Sequence, residues 1–110
     1  MSRIDDIVTR DGPCCVWCGG EPWPSDRTAD HLLPRSRGGH GGYENLVLAC
    51  RTCNRNRRSR AVVSYARARL AAGDTPRVNA LLEALDRLAR SARSEQRAYG
   101  ERQRAALARV

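Results

Sequence analysis

Two pairs of cysteines stand out by their spacing. Cys15 and Cys18 enclose two residues, Cys50 and Cys53 do the same, and 31 residues separate the pairs. Two such C-x-x-C pairs can bring four thiolates onto one tetrahedral zinc ion, so we predict a closed, structural Zn²⁺ site. A redox pair or unrelated cysteines are the alternatives. Cys14 would leave a three-residue gap to Cys18, so we assign Cys15 to the site.

A second group of polar residues lies between and just after the cysteine pairs. Asp30 is a hard oxygen ligand for Mg²⁺ or Mn²⁺, and Asn54 can add a neutral amide oxygen. His31 titrates near neutrality and can take a proton from an attacking water. These types suit metal-assisted cleavage of a phosphodiester bond. The alternative is a packed or surface histidine with asparagines that merely cap or tie loops, as Asn45 could through its amide.

Arginine dominates the charge of the chain. All twenty basic residues are Arg, against twelve acids, and the formal net charge is +8. A strongly basic balance predicts an anionic partner, most often nucleic acid, although a solvated surface is the alternative. Six arginines near the polar group are candidates for binding phosphate: Arg35, Arg37, Arg55, Arg57, Arg58 and Arg60.

Short elements must position these residues. Ser2 predicts the cap of a helix within residues 1–13. Residues 28–33 and 46–49 are typical of two short strands, and residues 51–59 lack Gly and Pro and predict a helix. Adjacent strand residues point to opposite faces, so Asp30 and His31 can share a site only if the strand bends or ends there.

The second half of the chain changes character. Residues 60–72 are rich in Ala and Arg and predict a helix, and Thr75 followed by Pro predicts the start of another. Apolar residues at helical spacing over residues 78–92 predict one buried face. Beyond Ser94 the pattern weakens, so we expect a frayed tail. This basic helical extension could pack on the preceding domain, bind the DNA backbone or form a homodimer.

The composition excludes a large apolar core. Val, Ile and Leu together number 19 of 110 residues, and there is no Phe. A structural zinc can supply the missing stability, on the order of 10 kcal/mol. No apolar run approaches the roughly 20 residues of a membrane span, and the acidic N-terminus does not fit a secretory signal. We therefore expect a cytoplasmic protein with no membrane partner.

Taken in order, these motifs resemble the HNH endonucleases, in the branch with a four-cysteine zinc site. The run DHLLPRSRGG at 30–39, ENL at 44–46 and CRTCNR at 50–55 carry the resemblance. It implies an α+β domain with a ββα-metal (His-Me finger) core over residues 14–60, between an N-terminal helix at 1–13 and the helical extension at 61–110.

The resemblance also implies roles for the polar residues. His31 would be the general base, Asp30 and Asn54 would hold a catalytic divalent cation, and Asn45 would orient the loop that positions His31. Asn54 stands where the family name implies a histidine. The implied activity is metal-dependent hydrolysis of DNA, in a phage-packaging or restriction setting, by a monomer or a homodimer. A zinc-stabilised DNA-binding module without turnover and an RNA-directed nuclease are the alternatives.

Overall fold

The computed structural model describes residues 2–110 and shows a small α+β fold with a two-stranded sheet and five α-helices. The strands and helices follow in the order α1 (Arg3–Asp11), β1 (Arg27–His31), β2 (Leu46–Cys50), α2 (Arg51–Arg57), α3 (Val62–Ala71), α4 (Val78–Ala89) and α5 (Ser94–Leu107). Three 3-10 turns lie at Pro24–Asp26, Arg35–Arg37 and Tyr43–Asn45.

The sheet and α2 form a ββα unit. β1 and β2 run antiparallel, with Asp30 opposite Val47 and His31 opposite Leu46. β2 is an almost continuous apolar run, and its side chains are buried on both faces. Helix α2 follows β2 without a break, so the second cysteine pair spans the junction of strand and helix. This arrangement is the one expected for residues 14–60.

Helix α1 covers one face of the sheet. Ser2 accepts a hydrogen bond from the backbone N–H of Asp5, and the Asp5 carboxylate accepts one from the backbone N–H of Ser2. This capping box satisfies two N–H groups that the first turn leaves free. Ile7 packs with Leu46 and Leu48 in a small cluster on this face. The predicted N-terminal helix and its cap are confirmed.

The main core lies on the other face and joins both halves of the chain. Trp17 is fully buried between the first cysteine pair and α3, where its ring meets Tyr65 edge-on at 5.3 Å between centroids. Leu81, Leu85 and Leu88 of α4 belong to the same cluster. The leucine face predicted for residues 78–92 therefore packs inside the chain, against the ββα unit and α5.

Two expectations for the second half are wrong. Thr75 does not cap a helix: α4 begins at Val78, and the backbone N–H groups of Thr75 and Arg77 donate to the carbonyls of Cys18 and Val16. These bonds hold the segment extended beside the first cysteine pair.

None of the helices within residues 2–110 has the length and apolarity needed to cross a membrane.

The tail beyond Ser94 is helical rather than frayed. Helix α5 runs to Leu107 and packs along α4. Its buried face consists of Gln96, Tyr99 and Gly100 as well as Leu107, which is why the apolar pattern is weak there. A Cβ on Gly100 would lie 2.6 Å from the backbone nitrogen of Ala89, so only glycine allows the two helices to approach this closely.

Candidate metal centre and catalytic site

The four paired cysteines converge on one point. The Sγ atoms of Cys15, Cys18, Cys50 and Cys53 all lie within 4.8 Å of one another. Zinc–sulfur bonds of about 2.3 Å in a tetrahedron put the sulfurs roughly 3.8 Å apart, so this donor set fits Zn²⁺. The backbone N–H of Cys53 also donates to Cys50 Sγ at 3.4 Å. The cluster indicates a structural metal such as zinc, and Cys14 lies outside it.

Burial of the cluster favours the protonated thiol form over the thiolate that a metal ion binds. Burial raises the pKa of Cys15 to about 11, and burial also raises the pKa of Cys53 above its ordinary value. Burial acts in the same direction on Cys50, but hydrogen bonds from Cys53 and from the other thiols lower the pKa of Cys50 overall. Metal binding requires thiolates, so it must release protons from this cluster, and its affinity falls as the pH falls.

A cavity opens where β1 ends. It has a volume of about 420 Å³ and lies between the end of the strand, the loop after it and helix α2. Its lining residues are Asp30, His31, Pro34, Arg35, Ser36, Asn54, Arg58 and Ser59. Because β1 ends at His31, Asp30 and His31 both face this cavity although they are adjacent. The structure thus brings together the three residues predicted for base and cation, Asp30, His31 and Asn54, with Arg35 and Arg58 of the predicted phosphate-binding set.

Asp30 is the most enclosed of the three. Its carboxylate accepts a hydrogen bond from Trp17 Nε1 at 2.8 Å on Oδ2 and one from the Arg57 guanidinium at 3.1 Å on Oδ1. Burial raises the pKa of Asp30 above its ordinary value, against the opposing effects of Arg57 and Trp17. Each carboxylate oxygen has a second lone pair. Asp30 can therefore still bind a cation from the cavity side while both partners fix its orientation.

His31 is half-buried beside this carboxylate. Burial lowers the pKa of His31 below its ordinary value, and the positive charges of Arg35, Arg3 and Arg57 lower it further, while Asp30 raises it. A lowered pKa keeps the imidazole neutral near pH 7. A neutral imidazole at the mouth of a cavity can accept a proton from water.

Asn54 reaches the cavity from α2 and is oriented by the sheet. Its Nδ2 donates to Thr28 Oγ1 at 3.0 Å, and Thr28 Oγ1 donates in turn to the carbonyl of Ala49 at 2.8 Å. With the amide nitrogen engaged by Thr28, the amide oxygen is the group left for the cavity. Asp30 and Asn54 can therefore offer two oxygen ligands to one divalent cation, a donor set that suits Mg²⁺ or Mn²⁺.

Asn45 does not reach the cavity. It is fully buried, its Oδ1 accepts from the backbone N–H of Leu33, and its Nδ2 donates to the carbonyls of Leu33 and His40. These three bonds close the loop that follows His31. A Cβ on Gly39 would lie 1.8 Å from the Leu33 carbonyl oxygen, so the closed loop requires glycine there. Asn45 is therefore placed to orient the loop that follows His31, the role that the resemblance implies for it.

The six predicted phosphate-binding arginines separate into two groups. Five are exposed: Arg35, Arg37, Arg55, Arg58 and Arg60. Arg57 is a correction, because its side chain is fully buried and donates to Asp30 and to the carbonyls of His31, Leu32 and Arg60. Its guanidinium also lies 4.8 Å from the Trp17 ring centroid. Arg57 therefore holds the end of β1 and does not face solvent.

Arg58 has an unusual backbone. Its φ is 55°, in a region that residues with side chains rarely occupy, and it ends α2 directly beside the cavity. Such conformations cost roughly 1–3 kcal/mol and concentrate at functional sites. The conformation turns the chain so that Arg58 and Ser59 both line the cavity.

The sequence predicted neither Trp17 nor Thr28 as part of this site, and it predicted a phosphate-binding role for Arg57. Trp17 and Arg57 hold the Asp30 carboxylate, and Thr28 holds Asn54. Trp17 lies between two metal-binding cysteines and Arg57 lies one helical turn after Asn54, and those positions were the only available signals. Thr28 carried no signal, because a threonine in a short strand is ordinary.

Comparison with known families supports this description. The model of the HNH endonuclease family matches residues 15–60, the segment that holds both cysteine pairs, the sheet and α2. Members of this family are generally endonucleases that act on DNA and use divalent metals. Comparison with curated proteins gives no match. Residues 15–60 of this chain therefore match an HNH endonuclease domain, in agreement with the resemblance that the sequence motifs indicate.

Proposed function

We propose that the protein is a metal-dependent endonuclease that hydrolyses phosphodiester bonds in DNA. The observation that carries the proposal is the cavity at the end of β1, where a half-buried histidine of lowered pKa lies beside an aspartate and an asparagine. In this proposal His31 is the general base, and Asp30 and Asn54 hold Mg²⁺ or Mn²⁺. The four paired cysteines hold a structural Zn²⁺ that keeps the ββα unit folded.

Each residue contributes one task to the reaction. Neutral His31 accepts the proton of a water that attacks phosphorus from the open side of the cavity. The divalent cation, when bound, stabilises negative charge on the phosphoryl and leaving oxygens. Trp17 and Arg57 keep the Asp30 carboxylate turned toward the cavity, and Thr28 does the same for the Asn54 amide oxygen. Asn45 holds the backbone that carries His31.

In this proposal, exposed arginines bind the phosphates of the substrate. Arg35 and Arg58 line the cavity itself. Arg55 and Arg60 are exposed and directly follow the lining residues Asn54 and Ser59 in sequence, and Arg37 donates to the Ser59 carbonyl. Guanidinium groups suit phosphate because they can donate two parallel hydrogen bonds. Contacts of this kind fix the register of the backbone without reading bases. The proposed enzyme therefore has weak sequence preference.

A binding module without turnover is the second candidate. Such a module would need the basic surface and the zinc, but it would need neither a histidine of lowered pKa nor two oriented oxygen ligands in the same cavity. The juxtaposition of Asp30, His31 and Asn54 favours the enzyme. An RNA-directed nuclease would use the same three residues, so the substrate must be tested directly.

The test is cleavage by zinc-loaded protein with and without added Mg²⁺ or Mn²⁺. Supercoiled plasmid, single-stranded DNA and RNA of matched length are the substrates. The divalent ion is omitted and restored rather than chelated, because a chelator would also strip structural zinc. We expect nicks in plasmid only with Mg²⁺ or Mn²⁺. DNA that is bound but never cut under any metal would favour the module, and cleavage confined to RNA would favour the RNA-directed nuclease.

A further inference from the structure

A second groove lies beside the candidate catalytic cavity. It has a volume of about 250 Å³ and lies between the loop after β1 and helix α5. Its lining residues are Leu33, Arg37, Glu95, Ala98, Tyr99 and Arg102. It is smaller than the roughly 300–1,000 Å³ of sites that enclose small molecules. A groove of this size with charged walls suits a single anionic group rather than a whole ligand.

The two arginines of the groove are free to bind an anion. Arg37 and Arg102 are both exposed, and neither takes part in the ion pairs found within residues 2–110. Two other exposed arginines of the helical extension, Arg90 and Arg104, are instead paired with Asp86, at 2.7 Å and 3.5 Å. Glu95 is the one acid of the groove, and its carboxylate lies against Gly38. The formal charge of the lining is therefore +1.

The groove continues the surface of the catalytic cavity. Arg37 donates to the carbonyl of Ser59 at 3.4 Å, and Ser59 lines that cavity. The cavity and the groove are also lined by one continuous stretch of chain. Pro34, Arg35 and Ser36 line the cavity, and their neighbours Leu33 and Arg37 line the groove. A strand of DNA cut at His31 can thus extend directly over the second groove.

We infer that this groove, here called the Arg37–Arg102 groove, binds a backbone phosphate of the DNA that lies in the catalytic cavity. Arg37 comes from the HNH domain and Arg102 from α5, so the helical extension contributes directly to substrate binding. The inference rests on the proposed function, since the DNA must first lie across the cavity. Glu95 opposes the phosphate and limits the affinity of the groove.

Opposite effects of two substitutions test the inference. Binding of a short DNA duplex by zinc-loaded protein is measured by fluorescence anisotropy at several salt concentrations, in the His31→Ala background so that nothing is cut. We expect Arg102→Ala to weaken binding about threefold to tenfold at low salt and to reduce the salt slope by about one. We expect Glu95→Gln to tighten binding, because it removes the opposing charge.

Arg109→Ala is the matched control, because Arg109 is exposed beyond the end of α5 and does not line the groove. It changes the net charge by the same amount and should leave the salt slope unchanged. Equal losses in Arg102→Ala and Arg109→Ala would overturn the site while leaving the proposed function intact. A parent protein that fails to bind duplex at low salt would overturn the site and the proposed function together.

Discussion

At the scale of single residues, the Asp30–Arg57 pair is the central feature. The Asp30 side chain is 7% exposed and that of Arg57 0%, and their charged groups lie 3.1 Å apart. A buried charge that loses its partner is strongly destabilising. The pair also explains why an arginine in a basic run is not on the surface. The Arg57 side chain is buried because it donates hydrogen bonds to the backbone carbonyls of His31 and Leu32, where β1 ends.

Replacing Arg57 should therefore damage the fold. We expect Arg57→Met to lower the free energy of unfolding by about 3–5 kcal/mol, since it leaves Asp30 buried and unpaired. Urea denaturation followed by circular dichroism measures the change. Arg55→Met is the control, because Arg55 is exposed on the same helix and its replacement should cost less than about 0.5 kcal/mol. Similar losses in both variants would contradict the role given to Arg57.

The lowered pKa of His31 predicts how cleavage depends on pH. Burial and neighbouring arginines lower the pKa of His31, so the neutral base form persists to lower pH than for a free histidine. Cleavage should rise with pH through a midpoint below about 6.5, the ordinary value for histidine, and then level off. The measurement is kcat/KM against pH at saturating Mg²⁺. A midpoint clearly above the ordinary value would contradict His31 as the base.

At the scale of elements, the first cysteine pair connects the four-cysteine cluster to the candidate catalytic cavity. Trp17 lies between Cys15 and Cys18, and its indole N–H reaches Asp30 on β1. Zinc bound by these cysteines would fix the turn that carries Trp17. It would thereby also fix the hydrogen bond from Trp17 to Asp30, the proposed ligand of the catalytic cation. The cysteine cluster and the candidate catalytic site are in this way parts of one unit.

Loss of zinc should accordingly affect both stability and the site. We expect about one zinc per chain by elemental analysis in the wild type and in Cys14→Ser, but far less in Cys15→Ser. Cys15→Ser should also unfold at lower urea, because its folding loses the free energy of metal binding. Full zinc occupancy in Cys15→Ser, or zinc-free protein with an unchanged unfolding midpoint, would contradict a structural zinc.

The elements also show how far sequence reasoning could reach. Helix α1, both strands and α2 follow from caps, apolar runs and cysteine spacing, because these signals are local. Burial of Arg57 could not be predicted, because a buried arginine and an exposed one give the same sequence pattern within a run of arginines. The start of α4 was misplaced because bonds from Thr75 and Arg77 to the first cysteine pair override a good local cap. Such contacts between distant segments leave no local pattern.

At the scale of the whole molecule, the helical extension is packed into the segment that matches the HNH family. Gln96 of α5 is fully buried, accepts from the backbone N–H of His40, and donates to Glu44 at 2.8 Å and to Ser91 at 3.1 Å. Glu44 and His40 flank the loop that Asn45 closes. The extension therefore supports the loop behind His31 in addition to covering the core.

The close approach of α4 and α5 can be tested at Gly100. Alanine normally stabilises a helix relative to glycine by about 1 kcal/mol. We expect Gly100→Ala to destabilise instead, by about 1–3 kcal/mol, because its Cβ would collide with the backbone of Ala89 and Leu85. Thermal unfolding measures the shift. Gly42→Ala is the control, since its Cβ would meet open space; a stabilised Gly100→Ala would contradict the packing described here.

The proposed role of His31 as the base of a DNA-cleaving site can be tested with a control from the same chain. It has two histidines, and His40 is exposed on the loop and does not line the cavity. The direct measurement is single-turnover nicking of supercoiled plasmid by zinc-loaded wild type, His31→Ala and His40→Ala at saturating Mg²⁺. We predict a loss of about 10²–10⁴-fold in His31→Ala and less than about threefold in His40→Ala. Equal nicking by His31→Ala and wild type would contradict the role of His31 as the base.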